Sequence, residues 1–290
     1  MKTVSNYLSL VKFSHTIFAL PFALFAFVFL VSCHRMPFEW LLLVKILICM
    51  VSARNAAMGF NRWADRDIDA RNARTASRDI PAGRISPRVA LIFVVCNSVI
   101  FVAAAAWINR LAFILSPVAL CILLGYSLAK RFTASAHIIL GTALAIAPVG
   151  VSVALLGSFS AFSLMLAALV LTWTAGFDIL YSMQDFDFDS AEHLHSIPVR
   201  FGLRGAAALS ILLHLLTIAT AVWIGTRFFS GAFYWIGFGA FVAVMFLQHI
   251  LYPPSRADRV GATFGLVNGA ASILFCVFGI TAVMTGQICA

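Results

Sequence analysis

Residues 61–69 read NRWADRDID, and they follow an apolar run over residues 38–60. A second charged stretch, YSMQDFDFD at residues 181–189, ends the apolar run over residues 160–182 in the same way. A helix of roughly 20 mainly apolar residues is long enough to cross a bilayer. Both stretches therefore predict membrane helices that carry a group of aspartates at the point where they leave the lipid.

The composition of the whole chain is typical of a polytopic membrane protein. Of its 290 residues, 62% are hydrophobic and 11% are charged, and the mean hydropathy is +0.99. Soluble domains carry about 25% charged residues, so this much apolar surface requires lipid as its solvent. Lipid admits only helices and closed barrels, and these runs are too long and too uniformly apolar for barrel strands.

We therefore predict an all-α membrane bundle of about nine transmembrane helices, formed by a single domain over residues 1–290. The first residues of the chain are interpreted as a retained amphipathic start and not as a cleaved signal peptide. The spans are predicted at residues 15–33, 38–60, 88–107, 111–129, 136–156, 160–182, 204–226, 231–251 and 262–286.

The basic residues predict how this bundle is oriented. Fifteen of the twenty Lys and Arg residues fall on one predicted side, and only Arg35, Arg110 and Arg227 fall on the other. The positive-inside rule then predicts a multi-pass protein of the inner or plasma membrane with a cytoplasmic N-terminus and cytoplasmic loops at 61–87 and 184–203. Because the net charge of +9 follows from this topology, it indicates no nucleic-acid partner. No obligate protein partner is evident either.

Nine of the eleven acidic residues form two clusters, about 120 residues apart in the chain and on the same predicted side of the membrane. On a helix, positions i, i+4 and i+7 share a face. Asn61, Asp65 and Asp69 therefore form one polar stripe. Arg54 extends this stripe two turns deeper into the second span, where a charged side chain is a functional hypothesis by default.

The second cluster repeats the spacing at the end of the sixth span. Asp67 and Asp187 are predicted to point away from the two stripes, either as solvated groups or as groups that support the ligands from outside. His137 is interpreted as a packed or interfacial residue, and the roles of His193 and His195 stay open. The second stripe consists of Asp178, Tyr181, Asp185 and Asp189.

Four carboxylates on two facing stripes would repel one another strongly in a poorly screened site. Mg²⁺ relieves such repulsion, because it binds through a few carboxylates, keeps some waters and completes its shell with substrate phosphates. The alternative is that the aspartates are solvated caps of helix ends, but this leaves the matching spacing unexplained. The predicted metal ligands are Asp65, Asp69, Asp185 and Asp189.

These residues resemble a known family. Residues 61–69 are similar to the NxxxDxxxD signature of the 4-hydroxybenzoate polyprenyltransferase (UbiA) superfamily, and residues 178–189, DILYSMQDFDFD, are similar to its second motif, DxxYxxQDxxxD. Both motifs match at every acidic position. Further similar segments are KFSHTIFALPFAL (12–24), RTASRDIPAGRIS (74–86), YSLAKRFT (126–133), LGTALAIAPVG (140–150) and HSIPVRFG (195–202).

The resemblance implies nine transmembrane helices around a central cavity, with the Asp-rich loops as a cytoplasmic cap. It also implies Mg²⁺-dependent transfer of a polyprenyl group from polyprenyl diphosphate to an aromatic acceptor. Within the superfamily, Arg54 and the SIPVRFG segment (196–202) look most like the branch that prenylates aromatic acids for ubiquinone and menaquinone synthesis. Both 4-hydroxybenzoate and a dihydroxynaphthoate acid stay open as acceptors.

Roles for the site residues follow as hypotheses. Asn61 would give the metal site a neutral oxygen or a hydrogen-bond donor, and Tyr181 would orient the diphosphate. Arg54 would clamp the aromatic carboxylate in bidentate fashion, unless it is a structural partner of Asp178. Asp178 would otherwise accept a hydrogen bond from the substrate hydroxyl and help to remove the ring proton. Candidate cations for the diphosphate, each of which could also be plain positive-inside charge, are Arg66, Lys130 and Arg131.

The main rival from another functional class is a transporter of divalent cations or of an anionic solute. Transport sites lie near the middle of the membrane and open to both sides. Here the carboxylates gather at one predicted face, and the loops on the other face are short and nearly uncharged. The sequence therefore favours the enzyme.

Overall fold

The computed structural model describes residues 18–255 and 262–289. Apart from an isolated bridge between Phe229 and Ile288, the regular structure in these ranges is helical. A 3₁₀ turn, Met183–Asp185, separates α7 from α8. The helices are α1 Leu20–Cys33, α2 Trp40–Ala64, α3 Arg66–Arg71, α4 Pro87–Ile108, α5 Arg110–Ala129, α6 Ala136–Leu156, α7 Ala161–Ser182, α8 Phe186–Ala191, α9 Ile197–Phe228, α10 Ala232–Leu251 and α11 Ala262–Met284.

The predicted all-α membrane bundle is confirmed. Eight helical segments in the described ranges are long and apolar enough to cross a membrane, and each coincides with a predicted span. The remaining prediction, 15–33, contains α1, which has 14 residues. The first residues of that span, and the amphipathic start before it, lie outside the described residues.

Two predicted boundaries differ from the structure for local reasons. Helix α2 continues past residue 60 to Ala64, so the first acidic motif begins on the helix itself. Helix α9 begins before residue 204, because the Ser196 hydroxyl caps it by accepting a hydrogen bond from the Val199 amide. A kink at Gly202, where φ is +71°, joins the resulting first turns to the main span, and this backbone conformation favours glycine.

The bundle has an aromatic core on one side and a cavity on the other. The core lies between α1, α7, α9, α10 and α11, and its largest fully buried rings include Phe22, Phe25, Trp173, Tyr234 and Phe275. Edge-to-face packing of Phe25 on Phe275, with ring centroids 6.0 Å apart, is typical of such clusters. The cavity, of about 880 Å³, lies mainly between α2, α5, α6 and α7.

The wall between the core and the cavity depends on close packing of α6 against α7. A Cβ atom at Gly141 would lie 2.5 Å from the backbone oxygen of Leu171. We expect Gly141→Ala to lower the melting temperature in detergent, since overpacking a tight contact costs about 1–3 kcal/mol. Gly150→Ala is the matched control on the same helix, because a Cβ there meets nothing within 4 Å. Equal melting temperatures for the two variants would contradict this view of the contact.

Candidate active site

Both acidic clusters open onto the same cavity. The helices of the bundle alternate in direction, so that α2, α5 and α7 all end at the face where α4, α6 and α9 begin. Three connecting segments therefore meet at one mouth: 65–86, 130–135 and 183–196. The predicted site residues that line the cavity are Arg54, Asn61, Asp65, Asp69, Lys130, Arg131, Asp178, Tyr181, Asp185 and Asp189.

Arg74 joins the two acidic clusters directly. Its Nε lies 3.0 Å from Asp185 Oδ1 and its Nη2 lies 2.7 Å from Asp185 Oδ2, a bidentate contact between residues 111 positions apart in the chain. The same guanidinium lies over the Tyr181 ring, and its Nη1 donates to the Tyr181 hydroxyl at 3.4 Å. Asn72 also reaches Asp185 Oδ1, at 3.5 Å. The segment after the first motif therefore contacts the second motif.

Each of the four predicted metal ligands faces a basic side chain. Besides Arg74 on Asp185, Arg78 Nη1 contacts both oxygens of Asp69, at 2.6 and 2.7 Å. Arg131 Nη2 lies 3.6 Å from Asp65 Oδ1, and Lys130 Nζ lies 3.7 Å from Asp189 Oδ2. The repulsion expected from four carboxylates is therefore balanced, in this arrangement, by four cations supplied from two of the connecting segments.

The sequence predicts each acidic stripe on one continuous helix, but in the structure both helices are interrupted. Asp65 separates α2 from α3, with φ −91° and ψ 4°, and the 3₁₀ turn separates α7 from α8. The one-turn spacing nevertheless survives the first break, because the Asp65 amide donates to Asn61 O and the Asp69 amide donates to Asp65 O. The Asn61 side chain donates to Asp65 Oδ2 at 3.0 Å, and its part in a metal site stays a prediction.

The carboxylates of the two stripes are withdrawn from water. Asp189 is 3% exposed and its Oδ2 has no hydrogen-bond partner in the part of the chain that the structure describes. Burial, and then the neighbouring Asp69 carboxylate, raises the pKa of Asp65 to about 6. Asp67 and Asp187 are exposed, as predicted. The site therefore holds its carboxylates where a cation must compensate them.

Arg54 lies deeper in the cavity and lacks the partner considered for it. Its Nε and Nη2 atoms are buried without a hydrogen-bond partner among the described residues. Asp178 instead contacts His137, with 2.6 Å between Asp178 Oδ2 and His137 Nδ1. The alternative in which Arg54 is the structural partner of Asp178 is therefore wrong for this structure. The guanidinium is left facing the cavity.

Arg66 lies apart from the other predicted cations. Its Nη1 donates to Trp63 O at 2.8 Å, its guanidinium lies over the Trp63 ring, and its Nη2 is 3.5 Å from exposed Asp67. It does not line the cavity. Its position one residue after Asp65 turns it away from the stripe, by about 100° on a helix.

The sequence did not indicate four residues that line the cavity or lie next to it. Arg74 and Arg78 stand four apart, a signal that pointed to one shared face, but they lie in a segment without apolar periodicity. Arg62 also lines the cavity, immediately after Asn61. For His137 the sequence predicts a packed or interfacial residue. Its ring is fully buried, and it also contacts an aspartate of the site. That pairing spans 41 residues and leaves no local signal.

The comparison with known proteins agrees with this geometry. A sequence profile of the UbiA prenyltransferase family matches residues 19–270. The chain belongs to the UbiA prenyltransferase family. It is therefore an integral membrane enzyme of the prenyltransferase class, as the two aspartate motifs predicted. The UbiA relative in Chromohalobacter salexigens, a 4-hydroxybenzoate octaprenyltransferase, is 28% identical over 233 residues, which are 80% of this chain and 78% of the relative.

Solved UbiA structures share the fold. The apo structure of a UbiA homolog from Aeropyrum pernix K1 is 34% identical, has a TM-score of 0.80, and covers 93% of this chain and 98% of its own. A UbiA homolog from Archaeoglobus fulgidus bound to DMAPP and Mg²⁺ is 20% identical, has a TM-score of 0.74, and covers 96% of this chain and 99% of its own. The helix bundle of this chain therefore has the fold of these UbiA structures.

Proposed function

We propose that this UbiA protein transfers a polyprenyl group from polyprenyl diphosphate to an aromatic acid, such as 4-hydroxybenzoate, in a Mg²⁺-dependent step of quinone biosynthesis. The single observation that carries the proposal is one cavity with two ends of different chemistry. Four carboxylates and their cations lie at the mouth. Arg54 lies deeper on the same wall, and its Nε and Nη2 atoms have no hydrogen-bond partner among the described residues.

The mouth fits Mg²⁺. Within the described ranges, 18–255 and 262–289, no three His, Cys, Asp or Glu side chains are grouped closely enough to hold one ion. The carboxylates come instead as pairs, and Mg²⁺ is held by one or two carboxylates when waters and substrate phosphates complete its shell. Asp65 with Asp69, and Asp185 with Asp189, would hold the metal. When bound, Mg²⁺ would neutralise charge on the departing diphosphate.

The basic residues at the mouth would complete the diphosphate site. Four basic side chains each face a carboxylate in this structure: Arg74, Arg78, Lys130 and Arg131. With a cation on the carboxylates, these four side chains would be available to hold the anionic substrate that shares the mouth. Tyr181, which already contacts Arg74, would donate its hydroxyl to a diphosphate oxygen. Arg66 has no part in this proposal, because it lies outside the cavity.

The walls below the mouth suit the reaction. With the diphosphate held, the allylic C–O bond breaks, its electron pair leaves with the diphosphate, and an allyl cation remains. Apolar side chains of α6 and α5, among them Leu140, Leu144 and Leu123, line the cavity and exclude water from that cation. A ring carbon ortho to the hydroxyl then forms the new C–C bond and loses its proton. We assign this proton to the carboxylate of Asp178, because Asp178 lines the cavity.

Arg54 would select the acceptor by its carboxylate. A guanidinium offers a planar fork that matches a carboxylate bidentately, and its buried nitrogens gain the acceptor that they lack. Both 4-hydroxybenzoate and a dihydroxynaphthoate acid carry such a group. We place 4-hydroxybenzoate first because the relatives named after it cover most of this chain.

A transfer assay tests the proposal. Purified protein in lipid nanodiscs is given Mg²⁺, a polyprenyl diphosphate and either acid, and lipid extracts are analysed by mass spectrometry. We expect a prenylated acid whose formation stops when EDTA removes Mg²⁺ and resumes when the metal is restored. Benzoate, which has the carboxylate but no hydroxyl to activate the ring, is the negative control. Folded protein that prenylates neither acid, or that moves Mg²⁺ across sealed vesicles, would overturn the proposal.

A further inference from the structure

His137 is a buried titratable residue that the reaction outlined above does not use. It lies in the first turn of α6, two residues after the segment 130–135 that supplies Lys130 and Arg131 to the mouth. Its ring is 0% exposed, and its Nδ1 lies 2.6 Å from Asp178 Oδ2. A contact this short with a carboxylate is typical of a charge-assisted hydrogen bond.

The surroundings of the ring select one tautomer. A carboxylate can only accept, so Nδ1 must carry the hydrogen when Asp178 is ionised. The Nε2 atom is buried and has no hydrogen-bond partner among the described residues. A buried N–H without an acceptor is rarer and more costly than a buried acceptor without a donor. The geometry therefore favours an Nδ1–H that is donated to Asp178, with Nε2 left without a partner among the described residues.

The same contact leaves one Asp178 oxygen free. Oδ2 is held by His137, whereas Oδ1 has no hydrogen-bond partner in the described ranges, and the residue lines the cavity. A carboxylate on a helix can rotate about its side-chain torsions unless a second group fixes it. His137 fixes it from behind, on a neighbouring helix that packs closely against α7 at Gly141.

We infer that His137 is a positioning residue for the prenyl transfer, which holds Asp178 so that its Oδ1 atom receives the proton released by the aromatic ring. The inference rests on the proposed function. In the step, the ring C–H bond breaks and its electron pair restores aromaticity. The proton passes to Asp178 Oδ1, while the Nδ1–H bond of His137 to Oδ2 stays in place. His137 itself touches no substrate.

Kinetics of two His137 variants test the role. His137→Ala removes the donor, and we expect kcat to fall about 10–100-fold, the usual effect of losing a group that orients a reactive one. The KM for polyprenyl diphosphate should change less than about twofold, because the diphosphate binds at the mouth. His137→Asn places an amide donor near the position of Nδ1 and should restore most of kcat. His249→Asn is the matched control, since His249 pairs with His214 away from the cavity.

A double-mutant cycle separates positioning from a structural role. If His137 acts through Asp178, the Ala variant should lose almost nothing further in an Asp178→Asn background. A structural role predicts the opposite, with independent losses and a lowered melting temperature in both backgrounds. Additive effects, or a His137→Ala variant with unchanged kcat while the wild type prenylates its acceptor, would overturn the inference and leave the proposed function intact.

The protonation of the His137 ring can be measured without enzymatic turnover, so the inference can be tested even if the proposed function is wrong. Nitrogen NMR of ¹⁵N-histidine-labelled protein in nanodiscs, with His137 assigned by the spectrum of His137→Asn, reports which ring nitrogen is protonated. We expect a protonated Nδ1 and an unprotonated Nε2, and a changed Nδ1 signal in Asp178→Asn. A ring protonated at Nε2 alone would overturn the inference whatever the acceptor proves to be.

Discussion

Asp65→Asn and Asp189→Asn are each expected to lower kcat/KM for prenyl transfer by about 100-fold or more, the usual loss when a group that stabilises developing charge is removed. Asparagine keeps the shape of the side chain but removes the negative charge that would bind Mg²⁺. The measurement is the initial rate of formation of the prenylated acid at saturating Mg²⁺.

Stability should move differently from activity in these two variants. Burial raises the pKa of Asp65 to about 6. Asp189 is buried, Lys130 lies 3.7 Å from it, and its Oδ2 receives no hydrogen bond from the residues that the structure describes. Both carboxylates are therefore costly in the metal-free protein. In EDTA, melting temperatures of the Asn variants should equal or exceed that of the wild type, and the rise in melting temperature on adding Mg²⁺ and diphosphate should shrink.

The sequence supplies matched controls within the same motifs. Asp67→Asn and Asp187→Asn remove the same charge from residues of the same motifs that are not part of the stripes. Both residues are exposed. We expect their rates and their Mg²⁺-dependent melting shifts to stay within about twofold of the wild type, as for ordinary surface changes. If all four Asn variants behaved alike, the assignment of the inward-facing aspartates to the metal would be lost.

Arg54→Ala is expected to raise the KM for the aromatic acid by roughly 30-fold or more, because losing one partner of a buried charged pair costs about 2–5 kcal/mol. The KM for polyprenyl diphosphate should change little, since its site lies at the mouth. Arg54→Lys should also bind the acid poorly, because an ammonium cannot form the bidentate contact.

The Arg54→Ala variant should fold normally. In the structure, Nε and Nη2 of Arg54 lack hydrogen bonds to described residues, so truncation leaves no carboxylate unpaired. Lys45→Ala is the matched control, as Lys45 is a basic residue of the same helix, α2, and contacts Trp107 rather than the cavity. A misfolded Arg54→Ala protein, or one with an unchanged KM for the acid, would contradict the assignment of the carboxylate site.

Much of the site could be anticipated because its residues repeat along the chain. Asp65 and Asp69 on one helix end, and Asp185 and Asp189 on another, share a spacing that one turn of helix converts into a common face. Asn61 was predicted as a possible donor and does donate, to Asp65. The helix breaks at Asp65 and at Met183–Asp185 were not predictable, because the polar residues there still continue a helical period.

Other parts of the site depended on pairing between distant segments. Arg74 contacts Asp185 across 111 residues, and His137 contacts Asp178 across 41. The sequence suggested Arg54 as a partner for Asp178 because the two residues lie at a comparable depth. Arg54 is two turns below Asn61, and Asp178 is two turns below Asp185. Depth along a helix is readable from the sequence, whereas rotation of one helix against another is set by packing, as at Gly141 against Leu171.

The sequence by itself determined that this is a membrane protein, that it is helical, and that it carries two aspartate motifs. Hydropathy and helical period are properties of neighbouring residues and can be seen in the sequence. The tertiary structure alone decided which cation faces each carboxylate, that Nε and Nη2 of Arg54 find no partner in the described part of the chain, and that His137 lies behind Asp178. Those outcomes depend on how close-packed helices are rotated against one another, and no stretch of a single helix records the side chains of its neighbours.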